Sequence, residues 1–267
     1  MKLTRTYRGL KIHGKKADQV DDELTLEQPL SVVINGDTFT LTMQTPGNEV
    51  ELVRGLLFSE GVYKDRNTTF TIIKTVVSDD DFISEIYLDI PTEKLDPSQL
   101  NKRSLLSVAS CGICGKTELT LPVGKIDMDS ISLGIDRIEG MFQIMSQRQS
   151  AFISSGGCHA SSAFSGDYEL LSLMEDIGRH NAVDKVIGDL LNQGNLSKAR
   201  FLLVSGRVSY EIVVKCFTAG IPFLLAVSAP SSLAVDFAKE LGITLIGFCR
   251  ENRATVYSNT ERILGNL

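Results

Sequence analysis

The last seventy residues alternate short apolar runs with helical segments, and this alternation constrains the fold more than any other feature of the chain. The apolar runs are residues 201–204, 222–227 and 243–248, and the helical segments are residues 210–219 and 231–241. Gly220 and Gly242 follow the two helical segments, where C-terminal caps are expected. A β-α-β-α-β order with strands of buried character predicts a parallel sheet.

The first hundred residues are rich in β-branched residues and predict a second, mainly β region. Two such runs flank Asn35 and Gly36, a pair that is typical of a tight hairpin. Residues 49–60 have helical spacing, and Gly61 follows them as an expected cap. The remaining predicted elements are strands at residues 69–77 and 85–90 and a helix at about residues 132–151. The predicted division is a β-rich domain at 1–105, a linker at 106–130 and an α/β domain at 131–267.

Charge and cysteine content exclude several classes of protein. The net charge of −6 argues against nonspecific binding to nucleic acids or to membrane surfaces. The N-terminus has no apolar leader, and no segment approaches the ~20 apolar residues of a membrane span. These features predict a cytoplasmic protein, in which the five cysteines stay reduced and are buried, metal-binding or catalytic.

The loops after the three predicted parallel strands are rich in serine and arginine. Because ligands bind at the carboxyl edge of such sheets, these loops predict a phosphate or nucleotide site. The candidate ligand-binding residues are Ser205, Arg207, Ser209, Arg250 and Arg253. Arginine suits this role because its planar head can bind phosphate through two hydrogen bonds. The alternative is that these serines and glycines only form turns and helix caps.

A dense polar run at residues 175–185 predicts a cluster around the start of one helix. Asp176, Arg179 and His180 are candidates for contacting or orienting a ligand in the same cavity. His180 and Asp184 are four residues apart, so we expect them to share a helix face and to orient each other. The alternative is a solvated, well-capped helix start.

The sharpest short motif is Cys111-Gly-Ile-Cys114, whose flanking glycines predict an exposed loop. Two cysteines at this spacing suit a metal half-site, a redox disulfide or a sulfur relay. A structural zinc site needs two further ligands, and Cys158 and His159, which follow a glycine turn, could supply them. Cys216 and Cys249 are expected to be buried.

Several motifs together resemble those of the FdhD family. In chain order they are residues 111–115, 156–159, 175–188, 205–209 and 247–250, with support from residues 35–36, 45–46 and 60–61. The resemblance implies a sulfurtransferase that takes persulfide sulfur from a cysteine desulfurase. It implies delivery of that sulfur to the bis-molybdopterin guanine dinucleotide form of the molybdenum cofactor for formate dehydrogenase, with GDP as a mimic of the cofactor.

The same resemblance implies roles for individual residues. Cys111 is similar to the persulfide-carrying cysteine of the family, with Cys114 beside it, and His159 falls within a family motif. The stretch that looks like the cofactor-binding segment is Phe248, Cys249, Arg250, Glu251, Asn252 and Arg253. The implied fold is similar to the cytidine deaminase core and is usually dimeric, but the deaminase zinc motif is missing. The rival hypotheses are a cofactor chaperone that carries no sulfur and a zinc-stabilised nucleotide-binding module.

Overall fold

The computed structural model describes residues 3–67, 70–78, 81–100, 106–107, 122–126 and 131–265. The strands of the first part are β1 (Thr4–His13), β2 (Lys16–Thr25), β3 (Gln28–Ile34), β4 (Asp37–Gln44), β5 (Thr71–Val77), β6 (Ile83–Asp89) and β7 (Leu106–Ser107). Its helices are α1 (Glu49–Ser59) and α2 (Pro97–Leu100).

The second part carries the remaining elements. Its strands are β8 (Leu133–Gly134), β9 (His159–Ser165), β10 (Leu170–Asp176), β11 (Ala199–Val204), β12 (Phe223–Ala226), β13 (Thr244–Arg250), β14 (Arg253–Val256) and β15 (Ile263–Leu264). Its helices are α3 (Ile135–Gln147), α4 (Ser150–Ser155), α5 (Arg179–Asn192), α6 (Tyr210–Ala219) and α7 (Ser232–Leu241). In the ranges that the structure describes, no helix is both long and apolar enough to cross a membrane.

Five strands of the first part form one sheet in the order β5-β6-β3-β4-β7. The predicted hairpin is confirmed, because β3 and β4 pair antiparallel around Asn35 and Gly36, whose φ angles are both positive. Positive φ at both central residues gives the turn a twist that matches the strands on either side. The sequence did not predict the separate two-stranded ribbon of β1 and β2.

The predicted parallel strands are confirmed as part of a larger mixed sheet. Its order is β10-β9-β11-β12-β13-β14, and β12 pairs parallel with both β11 and β13. Strands β9 and β10 on one side and β14 on the other flank these three strands, and each pairs antiparallel with its neighbours. These three flanking strands were not predicted. Helices α6 and α7 end at Gly220 and Gly242 in left-handed geometry, as expected. The description of this core as similar to cytidine deaminase stays a prediction.

The predicted helix at residues 132–151 is wrong in one respect, because the chain forms two helices there. Helix α3 ends at Gln147 and α4 begins at Ser150. The carboxylate of Glu175 explains the break, since it accepts hydrogen bonds from the backbone N–H groups of Ala151 and Phe152, each at 2.8 Å. An acidic side chain in this position stabilises a new helix N-terminus.

Candidate functional site

A cleft of about 920 Å³ lies at the carboxyl ends of β11, β12 and β13. Ser205, Val227 and Arg250, which lie at or just beyond the ends of these strands, line it together. The polar edge that the sequence predicts therefore borders a real cavity. Its volume is in the range of pockets that bind small molecules and cofactors.

The opposite wall of the cleft comes from α3 and α4, which sequence reasoning did not include. These helices contribute apolar and acidic side chains: Ile135, Asp136, Ile138, Glu139, Phe142 and Phe152. An apolar wall of this kind suits a flat ring, and the carboxylates can accept hydrogen bonds from ring N–H groups. The signal in the sequence was the amphipathic pattern of α3, but the pattern alone does not say what its exposed side faces.

The hairpin of β13 and β14 forms the rim of the cleft. Its turn consists of Glu251 and Asn252, both with positive φ, and Arg250 pairs with Arg253 across its base. The carboxylate of Glu251 accepts from Nη2 of Arg253 at 2.9 Å, and the amide of Asn252 faces the carboxylate of Glu139 on α3. The hairpin therefore presents two exposed arginines at the mouth of the cleft.

Phe248 is strained at the base of this hairpin. Its φ of 56° is rare for a bulky residue, and it lies where the pairing of β13 with β14 shifts between Gly247 and Arg250. Backbone strain of this kind often accompanies functional sites. Of the predicted segment 248–253, residues 249–253 line the cleft and Phe248 does not.

His159 and Ser205 lie together on the inner wall. Oγ of Ser205 accepts a hydrogen bond from the N–H of Ala160 at 2.9 Å and lies 3.3 Å from Nδ1 of His159. Because its oxygen already accepts, the Ser205 hydroxyl proton is available to Nδ1. Burial and then the positive charges of Arg179, His180 and Arg207 lower the pKa of His159. The imidazole therefore lies at the edge of a positive region that favours an anion.

Asp176 does not face the cleft, which corrects its predicted role as a ligand contact. Its carboxylate is fully buried and forms a 2.8 Å ion pair with Lys185. It also accepts from the backbone N–H groups of Thr45 and Gly178 and from the amide of Asn181. Burial raises the pKa of Asp176 against these opposing interactions. The carboxylate therefore fixes the start of α5, and a role for Asp176 in orienting a ligand stays a prediction.

The expected pair of His180 and Asp184 is also wrong. Nε2 of His180 lies 3.1 Å from both Oγ of Ser209 and Oε2 of Glu211. Asp184 instead accepts from Ser59 and Lys215 in the interior. The two side chains leave α5 in different directions, and His180 lies beside the loop after β11.

Besides Asp176 and Phe248, four predicted residues do not line the cleft: Arg179, His180, Arg207 and Ser209. Arg207 is exposed, Ser209 is partly buried and bonded to His180, and neither belongs to the lining set. Cδ of Arg179 would lie 3.3 Å from a Cβ placed on Gly206, and ring atoms of His159 would lie 3.2 Å from the same point. Arg179 and His159 therefore both pack against Gly206 of the loop after β11.

The described cysteines are all buried. Cys216 is enclosed in the core and its thiol has a raised pKa, because burial disfavours the thiolate. Cys158 and Cys249 border the cleft, and burial raises the pKa of each to about 12. Cys111 and Cys114 lie outside the described residues. In the described ranges no three His, Cys, Asp or Glu side chains are grouped to hold a metal, and a zinc site that includes the CxxC pair stays a prediction.

Comparisons with known proteins agree with the resemblance read from the motifs. The FdhD/NarQ family model matches residues 25–264. A sulfur carrier protein FdhD from Nocardia farcinica is 39% identical over 247 residues, which cover 91% of this chain and 88% of that protein. A protein of the same name from Sulfurisphaera tokodaii is 39% identical over 259 residues, which cover 95% and 96% of the two chains.

A solved structure extends the likeness to the fold. It is the crystal structure of a candidate formate dehydrogenase accessory protein from Desulfotalea psychrophila, with a TM-score of 0.74 and 23% identity. The match covers 98% of this chain and 100% of that one. At this level of identity, the structural likeness concerns the fold alone. The family match and the curated relatives cover nearly the whole chain, and the chain therefore belongs to the FdhD/NarQ family.

Proposed function

We propose that this chain is a sulfur carrier. It accepts persulfide sulfur from a cysteine desulfurase and passes it to the bis-molybdopterin guanine dinucleotide form of the molybdenum cofactor, which formate dehydrogenase requires. The observation that carries the proposal is the family membership, together with relatives that are named sulfur carrier proteins. Formate dehydrogenase appears in the name of the structural relative, in an accessory role.

The cleft supports the nucleotide part of the proposal. Arg250 and Arg253 at its rim suit phosphate groups, which planar guanidinium heads bind through charge-assisted hydrogen bonds. The apolar wall with Phe142 suits a guanine or pterin ring, and Glu139 can accept from the N–H groups of such a ring. We assign the cofactor to this cleft as a substrate.

Burial of three cysteines supports the CxxC pair as the sulfur carrier. Cys158, Cys216 and Cys249 are at most 6% exposed and their raised pKa values disfavour the nucleophilic thiolate. Sulfur transfer requires a thiolate that a partner enzyme can reach. Cys111 and Cys114, in a glycine-flanked motif, are the two cysteines left for this role.

Loading is a thiolate attack on a persulfide. The Cys111 thiolate attacks the outer sulfur of the desulfurase persulfide, a new S–S bond forms on Cys111, and the desulfurase cysteine leaves as a thiolate. For unloading, two roles are open for Cys114. As a resolving thiolate it attacks Cys111, which releases hydrosulfide for the cofactor and leaves a Cys111–Cys114 disulfide that a cellular dithiol reduces. Alternatively, it only tunes the pKa of its neighbour.

The proposal is tested by incubating the protein with a cysteine desulfurase and cysteine, followed by intact-mass measurement. We expect the wild-type chain and the Cys216→Ala control to gain one sulfur atom on Cys111, and Cys111→Ala to gain none and to leave formate dehydrogenase inactive. Cys114→Ala separates its two roles. If Cys114 is the resolving thiol, the variant still loads sulfur but does not release hydrosulfide, whereas if Cys114 only tunes the pKa of Cys111, the loading step itself changes. Activation of formate dehydrogenase by Cys111→Ala would instead favour a chaperone that carries no sulfur.

A further inference from the structure

Gln149 lies between α3 and α4 at the position where a side chain usually caps the next helix. It precedes Ser150, the first residue of α4, but its side chain accepts no hydrogen bond from the first turn of that helix. Glu175 takes the capping role instead, because its carboxylate accepts from the backbone N–H groups of Ala151 and Phe152. The amide of Gln149 is therefore released from capping.

The released amide faces the cleft. Gln149 is only 5% exposed, and it lines the cleft. Among the residues that the structure describes, its side-chain amide has no hydrogen-bond partner. The amide is also absent from the unpaired polar groups that the protein encloses completely, so it reaches the open space of the cleft. Because an unpaired polar group in a buried position costs free energy, this amide gains by binding a ligand.

Burial divides the lining of the cleft into an inner end and a mouth. The buried lining residues form the inner end and are uncharged: Ile138, Phe142, Met145, Gln149, Cys158 and Cys249. The two thiols stay neutral because burial raises the pKa of each to about 12. The charged lining residues are all exposed and form the mouth: Asp136, Glu139, Arg250, Glu251 and Arg253. Of the buried lining residues, which the structure describes in full, Gln149 alone has a strong donor beside a strong acceptor.

We infer that Gln149 recognises the ring of a ligand that enters the cleft ring first. The amide C=O accepts from a ring N–H, and the amide N–H donates to the adjacent ring C=O. Guanine and pterin share this pair of adjacent ring groups. An uncharged inner end favours the ring, whereas Arg250 and Arg253 at the mouth favour phosphate. The inference deepens the proposed function and rests on it, because the ring is that of the proposed cofactor.

Glu139 has a different place on the same wall. It is exposed, and its carboxylate faces the amide of Asn252 in the hairpin at the rim. A long ligand can therefore contact Gln149 with a ring at the inner end and Glu139 with a group nearer the mouth.

The test measures affinities for GDP, for pterin and for inorganic pyrophosphate by calorimetry. Gln149→Met keeps a long, unbranched side chain and removes both hydrogen-bonding groups. Gln147→Met is the matched control, because Gln147 is exposed at the end of α3 and does not line the cleft. Pyrophosphate has no ring and measures the phosphate contacts alone. The melting temperature of each chain is recorded, because the loss of an amide without a protein partner should not lower it.

We expect Gln149→Met to weaken the binding of GDP, of pterin or of both by about tenfold or more, because two hydrogen bonds to the ring are lost. Its pyrophosphate affinity and melting temperature should equal those of Gln147→Met. A loss for GDP alone assigns guanine to the inner end, and a loss for pterin alone assigns pterin.

Two results would overturn the inference and leave the proposed nucleotide site standing. One is a Gln149→Met chain whose affinities for GDP and pterin equal those of Gln147→Met. The other is a fall of its melting temperature together with an equal loss of pyrophosphate binding, which would show that the amide only maintains the structure. A wild-type chain that binds neither GDP nor pterin overturns the proposed nucleotide site as well.

A second measurement covers the case in which Gln149→Met does not fold. The side-chain amide of Gln149 in the isotope-labelled wild-type chain is followed by NMR with and without each ligand. A shift of its resonances at saturating GDP or pterin supports the inference, because the amide protons then donate to the ligand. Unchanged resonances at saturation with both ligands overturn it.

Discussion

Gly55 of α1 and Gly188 of α5 lie against each other at the point where the two helices touch. A Cβ on Gly55 would lie 1.8 Å from the carbonyl oxygen of Asp184, and a Cβ on Gly188 would lie 1.8 Å from that of Glu51. No side chain fits at such distances, so the two backbones are in direct contact. This contact fixes α5, whose N-terminus lies beside the cleft, against the first part of the chain.

Gly188→Ala should therefore destabilise the protein, because the added methyl group forces the helices apart. We expect the free energy of unfolding to fall by about 3 kcal/mol, measured by urea denaturation. Gly140→Ala is the control, since Gly140 also lies in a helix but has open space around it. That control should gain up to about 1 kcal/mol from its better helix propensity. Equal stability of the two variants would contradict the close contact.

Lys215 neutralises a buried carboxylate between α1, α5 and α6. Its Nζ donates to both oxygens of Asp184 and to Oγ of Ser59, each at 2.8 Å. Lys215→Met leaves the charge of Asp184 buried without its partner and should cost about 3–5 kcal/mol of unfolding free energy. Lys239→Met, at an exposed position on α7, should change stability by less than about 0.5 kcal/mol. If Lys215→Met lost no more unfolding free energy than this control, Lys215 would not be the group that neutralises Asp184.

The sequence predicted the centre of the second sheet well, because β11, β12 and β13 are short apolar runs that only a buried parallel arrangement explains. It also predicted that Ser205 and Arg250 would lie at one edge of the sheet, since the carboxyl ends of such strands share that edge, and both residues line the cleft. These predictions depend on local runs of apolar residues and on the rule that the carboxyl ends of parallel strands share one edge of the sheet.

The parts that failed depend on contacts between distant residues. The break between α3 and α4 is set by Glu175, which is 24 residues from Ala151 along the chain. The sequence showed that residues 175–185 are polar, but it did not show which of their side chains point inward. Asp176 points inward because Lys185 and the backbone N–H of Thr45 bind its carboxylate in the interior. The partners of His180 are Ser209 and Glu211, 29 and 31 residues away, which no helical spacing predicts.

The rim arginines and Arg207 should differ in their effect on nucleotide binding. Arg250 and Arg253 line the cleft, whereas Arg207 lies outside it. Arg250→Ala and Arg253→Ala should each weaken GDP binding by about ten- to a hundredfold, because each removes a charge-assisted phosphate contact. Arg207→Ala should weaken it less than about fivefold. Calorimetry measures the GDP affinity of the three variants, with Arg200→Ala as the control. A larger loss of affinity for Arg207→Ala than for the two rim variants would place the phosphates outside the cleft rim.

Alkylation should distinguish the CxxC cysteines from the other three. At pH 8 a thiol with a pKa of about 12, as for Cys158 and Cys249, is a thiolate in about one molecule in ten thousand. Iodoacetamide should therefore label Cys111 and Cys114 in the folded protein and all five cysteines in guanidinium chloride. Peptide mass spectrometry identifies the labelled sites. Rapid labelling of Cys249 in the folded state would mean that its burial does not suppress its reactivity.

His159 should make the protein less stable as the pH falls. Its pKa is lowered in the folded state, first by burial and then by the charges of Arg179, His180 and Arg207. Below about pH 6.5 the unfolded chain binds a proton that the folded chain does not, so the free energy of unfolding decreases until the pH reaches the folded pKa. His159→Gln should remove this part of the dependence, whereas His13→Gln, on an exposed strand of the β1–β2 ribbon, should leave it unchanged.

A phosphate group in the cleft favours the protonated imidazole of His159, so GDP should raise the pKa of this residue. NMR titration of the three histidines, with and without GDP, measures the change. An unchanged His159 titration at saturating GDP would place the phosphates away from this wall of the cleft.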